Sequence, residues 1–318
     1  SIDNKYVGED GKEVQPKWEK DENGWKLKYA DGTYRAYGIG YVNGKAYVFD
    51  DNGYMISNRC TYTNIYVDGE YKYIRVFAAQ DGHLIKGWNK EYECWYYYGD
   101  DYGAIENGLI TVSNKQYYFE YSNLVCQRVF AYDGALYHAN ANGEVSLINT
   151  DGQTGWKYFD NLKYSDKNEY SYYYYVENGV VVQKQFKMIN GKKYYFYDNG
   201  IMAKGTFSVD DKYYLTNDSG SIVENVKGWY RQKSNNVYSW YYFDSNSNLL
   251  VDKFLELGNK TYYLASDGCM STGLFDVYGN YSDNIWTNKK YYADDNGVIY
   301  NKKGWLSIGL SKYYQGDN

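Results

Sequence analysis

The feature that most constrains this chain is a short unit repeated along its length: an aromatic doublet followed by a turn of Asp, Asn and Gly. The clearest copies are Lys193-Tyr194-Tyr195-Phe196-Tyr197-Asp198-Asn199-Gly200, Lys212-Tyr213-Tyr214-Leu215-Thr216-Asn217-Asp218-Ser219-Gly220, Thr261-Tyr262-Tyr263-Leu264-Ala265-Ser266-Asp267-Gly268 and Lys290-Tyr291-Tyr292-Ala293-Asp294-Asp295-Asn296-Gly297. Looser copies begin near Lys45, Tyr71, Trp95, Gln116, Ala135, Tyr172 and Trp240. Each reads as a strand, a tight turn that needs positive φ and a second strand, which is a β-hairpin. A longer period lies over the first. Gly-Trp occurs at Gly24-Trp25, Gly87-Trp88, Gly155-Trp156, Gly228-Trp229 and Gly304-Trp305, at intervals of 63, 68, 73 and 76 residues. With about three hairpins per interval, the spacing predicts one repeat domain over 1–318, of about twelve hairpins. Its four super-repeats would be approximately 24–86, 87–154, 155–227 and 228–303, with 304–318 a truncated or capping unit.

Composition agrees with an all-β chain. Of 318 residues, 46 are Tyr, 11 Phe and 9 Trp, while proline occurs once. Long aliphatic runs are absent, so no segment reads as a membrane-spanning helix. With aliphatic residues sparse, the core is expected to be built largely from tyrosine rings, which suit strands. One hairpin cannot bury its own apolar face, and stacking successive hairpins would create the core that none has alone. The expected fold is therefore a tandem β-hairpin solenoid; the alternative is a β-sandwich or stacked antiparallel sheets whose turns merely look alike.

Charge and residue types exclude other classes. Forty acidic and thirty-four basic residues are interspersed, with a net charge of −6. Nothing here forms the clustered cation surface that nucleic acid or an anionic membrane demands. Cys60, Cys94, Cys126 and Cys269 lie far apart with no C-x-x-C pair, so no metal site and no cofactor is expected. The chain opens on Ser1, which reads as a mature product or an excised piece.

The hairpin sequence resembles the cell-wall-binding repeat superfamily, which includes choline-binding modules, the glucan-binding domains of bacterial glucansucrases and the receptor-binding repeats of large clostridial toxins. Asp198-Asn199-Gly200-Ile201-Met202-Ala203-Lys204-Gly205 and Asp267-Gly268-Cys269-Met270-Ser271-Thr272-Gly273 are similar to the second half of its pattern. Gly87-Trp88 with Trp95-Tyr96-Tyr97-Tyr98, and Gly228-Trp229 with Trp240-Tyr241-Tyr242-Phe243, are similar to its first half. The resemblance implies hairpins each rotated by a third of a turn, so that the Trp-bearing ones align along one side. It also implies a bacterial cell-surface or secreted protein. Two departures stand out. Gly-Trp is missing from two hairpins in three, unlike choline-binding members, and the segments 162–169, 231–238 and 276–285 are longer than usual.

Binding suits these residues better than catalysis. His83 and His138 are the only histidines, too few for a nucleophile–base relay or a histidine metal cluster. The doublets Asp50-Asp51, Asp100-Asp101, Asp210-Asp211 and Asp294-Asp295 fall in turns, where Asp hydrogen-bonds its own backbone. A Trp or Tyr face matches the C–H face of a pyranose, and the same rings arranged as a cage attract a quaternary ammonium. The candidate ligand contacts are Trp88, Trp95, Tyr97, Trp156, Tyr174, Trp229, Trp240 and Tyr242. Trp25 and Trp305 lie nearer the ends and are assigned to capping; Trp18 and Trp286 fall outside the register of the repeat. The expected function is non-catalytic binding of a polysaccharide, with an α-glucan such as starch or dextran favoured. A choline or teichoic-acid wall anchor, a toxin-like glycan receptor-binding array and a ligand-free spacer remain alternatives.

Overall fold

The computed structural model describes residues 6–7, 13–14, 16–67, 69–159, 172–234, 236–282, 285–301, 304–308 and 311–315. Among the described residues every regular element is a strand, and thirteen consecutive antiparallel pairs follow a short initial one. The all-β hairpin architecture expected from the repeat is therefore the one observed. Contacts divide the chain into two compact units, one of 1–129, 137–148 and 161–170, the other of 130–136, 149–160 and 171–318.

Among the described residues five hairpins join two strands of four to six residues through a two-residue turn in which both residues have positive φ. Lys192–Phe196 pairs with Gln185–Ile189 across Asn190-Gly191, at φ 49° and 74°. This turn type matches the right-handed twist of the flanking strands, and Asn-Gly adopts it at little steric cost. Asp210-Asp211 adopts the same conformation without glycine, at φ 49° and 59°.

The phase of the hairpin differs from the sequence reading. The aromatic doublet lies on the second strand, and the Asp-x-x-Gly turn that follows leads to a single bridging residue instead of a further strand. After Lys45–Phe49, Asp50 accepts the N–H of Gly53 through its backbone oxygen (2.9 Å). Its carboxylate Oδ1 accepts the N–H groups of Asn52 and Tyr54, each at 2.9 Å. Met55 then bridges back to Phe49, donating its N–H to the Trp25 oxygen of the preceding hairpin at 2.8 Å, while Ile56 donates to Val48 of its own hairpin at 2.9 Å. Met202 to Tyr173 (2.8 Å) and Met270 to Trp240 (2.7 Å) repeat the stitch. In these repeats one backbone bond ties a hairpin to the one before it, and at Asp50 the turn carboxylate is spent on positioning that bond.

Side chains interlock at the same place. Gly82 has φ +87°, and a Cβ there would lie 2.3 Å from Met55 Sδ; at Gly220 a Cβ would lie 2.1 Å from Met202 Cε. The methionine of one repeat occupies the space that the glycine of the next leaves open, so glycine is required both by its backbone angle and by the close approach.

The core is less tyrosine-rich than expected. In the first unit Ile39, Ala46, Val48, Ile56, Val76, Ala78 and Leu84 form one cluster, and in the second Leu215, Tyr241, Phe243, Leu249 and Val251 form another. Phe49, Phe119, Phe130 and Phe196 are fully buried, as are Tyr98 and Tyr174, whereas many other tyrosines are exposed. A phenol must keep its hydroxyl bonded when buried, so Phe, Leu and Val take the deepest positions and Tyr the half-wet ones.

Candidate functional site: aromatic recesses between successive hairpins

The Trp-bearing hairpins build one recurring arrangement. On the hairpin of Gly87–Glu91 and Cys94–Tyr98, Trp88 faces Tyr97 directly across the strands, with ring centroids 5.1 Å apart. A third ring comes from the next hairpin, Tyr117, 4.8 Å from Trp88, with Phe119 beneath at 5.9 Å. In the second unit Trp156 meets Tyr175 at 5.3 Å, Tyr194 at 4.9 Å and Phe196 at 5.8 Å. Trp229 there meets Tyr242 at 5.2 Å and Tyr262 at 5.0 Å. Nearly all these contacts are edge-to-face, the geometry that ring quadrupoles favour. Strand alternation decides membership: residues facing each other across a pair and two apart along it share one face.

Most of the expected contacts come together in this way, though not as one set. Trp88, Trp95 and Tyr97 form one cluster and Trp229, Trp240 and Tyr242 another, with Trp95 and Trp240 each 6.3 Å from their partner tryptophan. Trp95, Trp156 and Trp240 are exposed, and Trp88 and Trp229 are half-buried. Tyr174 does not belong. Its ring is fully buried against Phe159, 5.8 Å away, because alternation turns it inward and sends Tyr173 and Tyr175 outward; Tyr175 takes the place expected for it.

The register of the first Gly-Trp also differs. Gly87, Gly155, Gly228 and Gly304 open first strands, but Gly24 opens a second strand, Gly24–Lys28. Trp25 therefore occupies the place of Trp95, and Trp18 occupies that of Trp88, 4.9 Å from Tyr47 and 6.0 Å from Phe49. The side chains of Trp286 and Trp305 and the segment 162–169 lie outside the described residues. Sequence reasoning thus missed Trp18 and the third rings, Tyr47, Tyr117, Tyr194 and Tyr262. Each third ring is the first aromatic after a hairpin turn, the doublet position assigned to the core. Two intervening hairpins carry the same cluster with phenylalanine in place of tryptophan: Phe186 meets Tyr195 (4.8 Å) and Tyr214 (5.1 Å), and Phe254 meets Tyr263 (4.9 Å) and Tyr291 (5.2 Å).

Two of the clusters floor open recesses in the first unit. One, of about 400 Å³, is lined by Trp88, Trp95, Tyr117, Leu124, Cys126, Ala141 and Asn142. The other, of about 330 Å³, is lined by Trp18, Trp25, Tyr47, Met55 and Asp81. The Trp88 hairpin is held from below by a buried ion pair. Arg75 Nη2 lies 2.5 Å from Glu91 Oε2, and Arg75 donates to the Tyr98 hydroxyl at 2.8 Å. That hydroxyl donates to Glu91 Oε1 at 2.6 Å, and burial followed by this carboxylate pushes the phenol well above its usual pKa. The Trp18 hairpin has instead an exposed pair, Lys28 with Glu19 at 3.0 Å.

Polar chemistry separates the two recesses. Around Trp88 the polar groups are neutral: Asn142 and the Cys126 thiol, whose pKa burial raises. Beside Trp18 stands the Asp81 carboxylate, which the His83 ring holds below the ordinary Asp range by a short hydrogen bond. Lys45 lies 3.7 Å from its other oxygen. Among the described residues His83 is bonded to Asp81, and the carboxylates of Asp50, Asp101 and Asp294 are bonded into their own turns. All four cysteines are free thiols. Among the described residues no group of three or more His, Cys, Asp or Glu could hold a metal ion, and no helix is long and apolar enough to cross a membrane.

Comparison with known proteins places the repeat. Residues 184–226 match the choline-binding repeat family model. The chain is 26% identical over 298 residues to Glucosyltransferase-S of Streptococcus mutans, covering 91% of this chain and 18% of that protein. It is 25% identical over 279 residues to Glucosyltransferase-I of Streptococcus downei, covering 85% of this chain and 14% of that protein. It therefore spans less than a fifth of the length of these curated relatives. Among solved structures, choline binding protein F of Streptococcus pneumoniae aligns over 90% of this chain and 99% of its own, with 19% identity and a TM-score of 0.34. The hairpins of residues 184–226 are thus similar to a choline-binding repeat, and most of the chain is similar to part of the streptococcal glucosyltransferases.

Proposed function

We propose that this chain is a non-catalytic carbohydrate-binding module of a bacterial cell-surface or secreted protein, binding an α-glucan through its aromatic recesses. The observation that carries the reading is the Trp88 recess. Its floor of three half-open rings matches the apolar face of a pyranose, and its polar neighbours are neutral, as an uncharged hydroxylated ligand requires. The glucosyltransferase relatives support the choice of an α-glucan. Each site is individually weak, and several on one chain raise avidity on a polymer by roughly 10²- to 10⁴-fold when they engage together. Affinity electrophoresis in gels containing amylopectin, dextran or no polysaccharide tests the reading. Retardation in a glucan gel that weakens in Trp88→Ala is expected; equal mobility in every gel overturns it.

A second reading attaches to the Trp18 recess alone. A carboxylate beside stacked rings suits a cation, and Asp81 supplies one where the Trp88 recess has none. Choline is the ligand this reading names. Retention on a quaternary-amine resin, with release by free choline and loss in Trp18→Ala, is its expected result.

A further inference from the structure

A further recess among the described residues belongs to neither set of rings. A groove of about 590 Å³ in the first unit is lined in part by Arg35, Gly38, Asn64 and the tyrosines 37, 41, 66 and 71. Tyr66 and Tyr71 come from the strands Arg59–Val67 and Glu70–Ala78, which are nine residues long where the neighbouring hairpins have five. Their rings meet edge to face, 4.9 Å apart, near the tip of that hairpin, and Tyr71 is 74% exposed.

Two buried polar atoms are left without partners, one on Arg35, which lines the groove, and one on Thr63, which does not. Arg35 Nε is buried and makes no hydrogen bond, and the guanidinium forms no ion pair among the described residues. Thr63 is 0% exposed, and its hydroxyl is also unpaired. Both point to one spot. A Cβ placed on Gly38 would lie 3.4 Å from Arg35 Nη2 and 3.9 Å from Thr63 Oγ1. The guanidinium stem runs beside Gly40, where a Cβ would meet Arg35 Cγ and Cδ at 3.5 Å. Gly38 and Gly40 therefore lie alongside the arginine side chain.

The acidic residue on the groove, Asp101, does not neutralise Arg35. Its Oδ1 accepts the Gly103 N–H at 3.0 Å and lies 3.1 Å from the Cβ position of Gly99, so it is turned into its own loop. A buried donor left unsatisfied costs roughly 1–3 kcal/mol, and more when charged, so two side by side call for an explanation. A guanidinium fork is the donor set for a carboxylate or phosphate, and flat tyrosine faces are the complement of a sugar ring. We infer that this groove binds an acidic saccharide, its carboxylate or phosphate held by the Arg35 guanidinium and its ring laid against Tyr66 and Tyr71. The site is independent of the glucan reading, since it shares no residue with the Trp recesses.

Calorimetric titration of the whole chain tests it with tri-galacturonate for the carboxylate, glucose 6-phosphate for the phosphate and maltotriose as the neutral control. At least one acidic ligand should bind, and Arg35→Gln should weaken it tenfold or more without changing the response to maltotriose. Trp88→Ala should leave the acidic ligand's affinity as it was, which separates this site from the glucan recess. Tyr71→Ala alters only an exposed ring and should weaken binding severalfold with the melting curve intact. Binding of neither acidic ligand, or undiminished binding in Arg35→Gln or Tyr71→Ala, overturns the inference.

Discussion

The Trp18 and Trp88 recesses share one backbone plan and differ in what surrounds the rings. Trp18 and Trp88 occupy the same place on the first strand, Trp25 and Trp95 the same place on the second, and Tyr47 and Tyr117 arrive from the following hairpin. The fourth wall is not shared. One recess has Met55 and Asp81, the other Leu124, Cys126 and Asn142. The support differs as well, with a buried Arg75–Glu91 pair under Trp88 and an exposed Lys28–Glu19 pair beside Trp18. Equivalent positions in a repeat fold thus keep their packing geometry and vary freely where side chains meet only solvent or ligand.

Removing supports should show the largest contrast. Glu91→Ala strands Arg75 and the Tyr98 hydroxyl in a dry site and should cost about 3–5 kcal/mol in denaturant unfolding. Glu19→Ala, at a solvated pair, should fall within the scatter of ordinary surface substitutions. Equal losses would show that the two hairpins are held alike.

Ligand contrast comes next. Trp88→Ala should weaken glucan binding at that recess about tenfold or more while leaving choline retention intact, and Trp18→Ala should do the reverse. Gel retardation and resin elution read the two. Asp81→Asn isolates the charge. It should lower choline affinity about three- to tenfold, near the 0.5–2 kcal/mol of a cation held over rings, and leave glucan retardation unchanged. Asn142→Asp, which gives the Trp88 recess a carboxylate, should move it towards the cation.

Acidity gives a smaller, signed effect. The His83 hydrogen bond depresses the Asp81 pKa, so the carboxylate keeps its charge through the ordinary Asp range and is neutralised only as pH falls below that range. The carboxylate's contribution to choline retention should therefore persist through the ordinary Asp range and be lost only as pH falls below it; no difference between the protein and Asp81→Asn above that range would contradict the assignment. The smallest effect concerns Cys126. Burial raises its thiol pKa, so alkylation near neutral pH should be slower than at exposed Cys94, and soluble glucan should slow it further by covering the Trp88 recess.

Much of the fold was legible in the repeat. The hairpins, the all-β class and the turn role of the Asp residues follow from local chemistry, because positive-φ turns and Asx bonds involve residues only a few positions apart. The phase was harder to read. An Asp-x-x-Gly turn looks like a hairpin turn from sequence, and only the Met55 bond to Trp25 reveals that it links hairpins. For the same reason Gly24-Trp25 passed for the start of a repeat, although the following strand pairing makes Trp18 the equivalent of Trp88. Tyr174 illustrates the remaining difficulty. In a run of four tyrosines nothing local distinguishes the buried ring from its neighbours, and a one-residue shift in register exchanges the faces.

The sequence by itself determined the unit: which residues turn, which extend, and that each hairpin needs neighbours to bury its face. The tertiary structure alone decided which rings meet. The third ring of every recess arrives from the next hairpin, 29 residues along for Trp18 and Trp88, 38 for Trp156 and 33 for Trp229. Those separations depend on the lengths of the intervening strands and loops. Long-range contact is set by the sum of many local geometries, and periodicity in one dimension does not record it. Arg35 carries the same lesson, since its meeting with Thr63 beside Gly38 exists only where two hairpins are brought together.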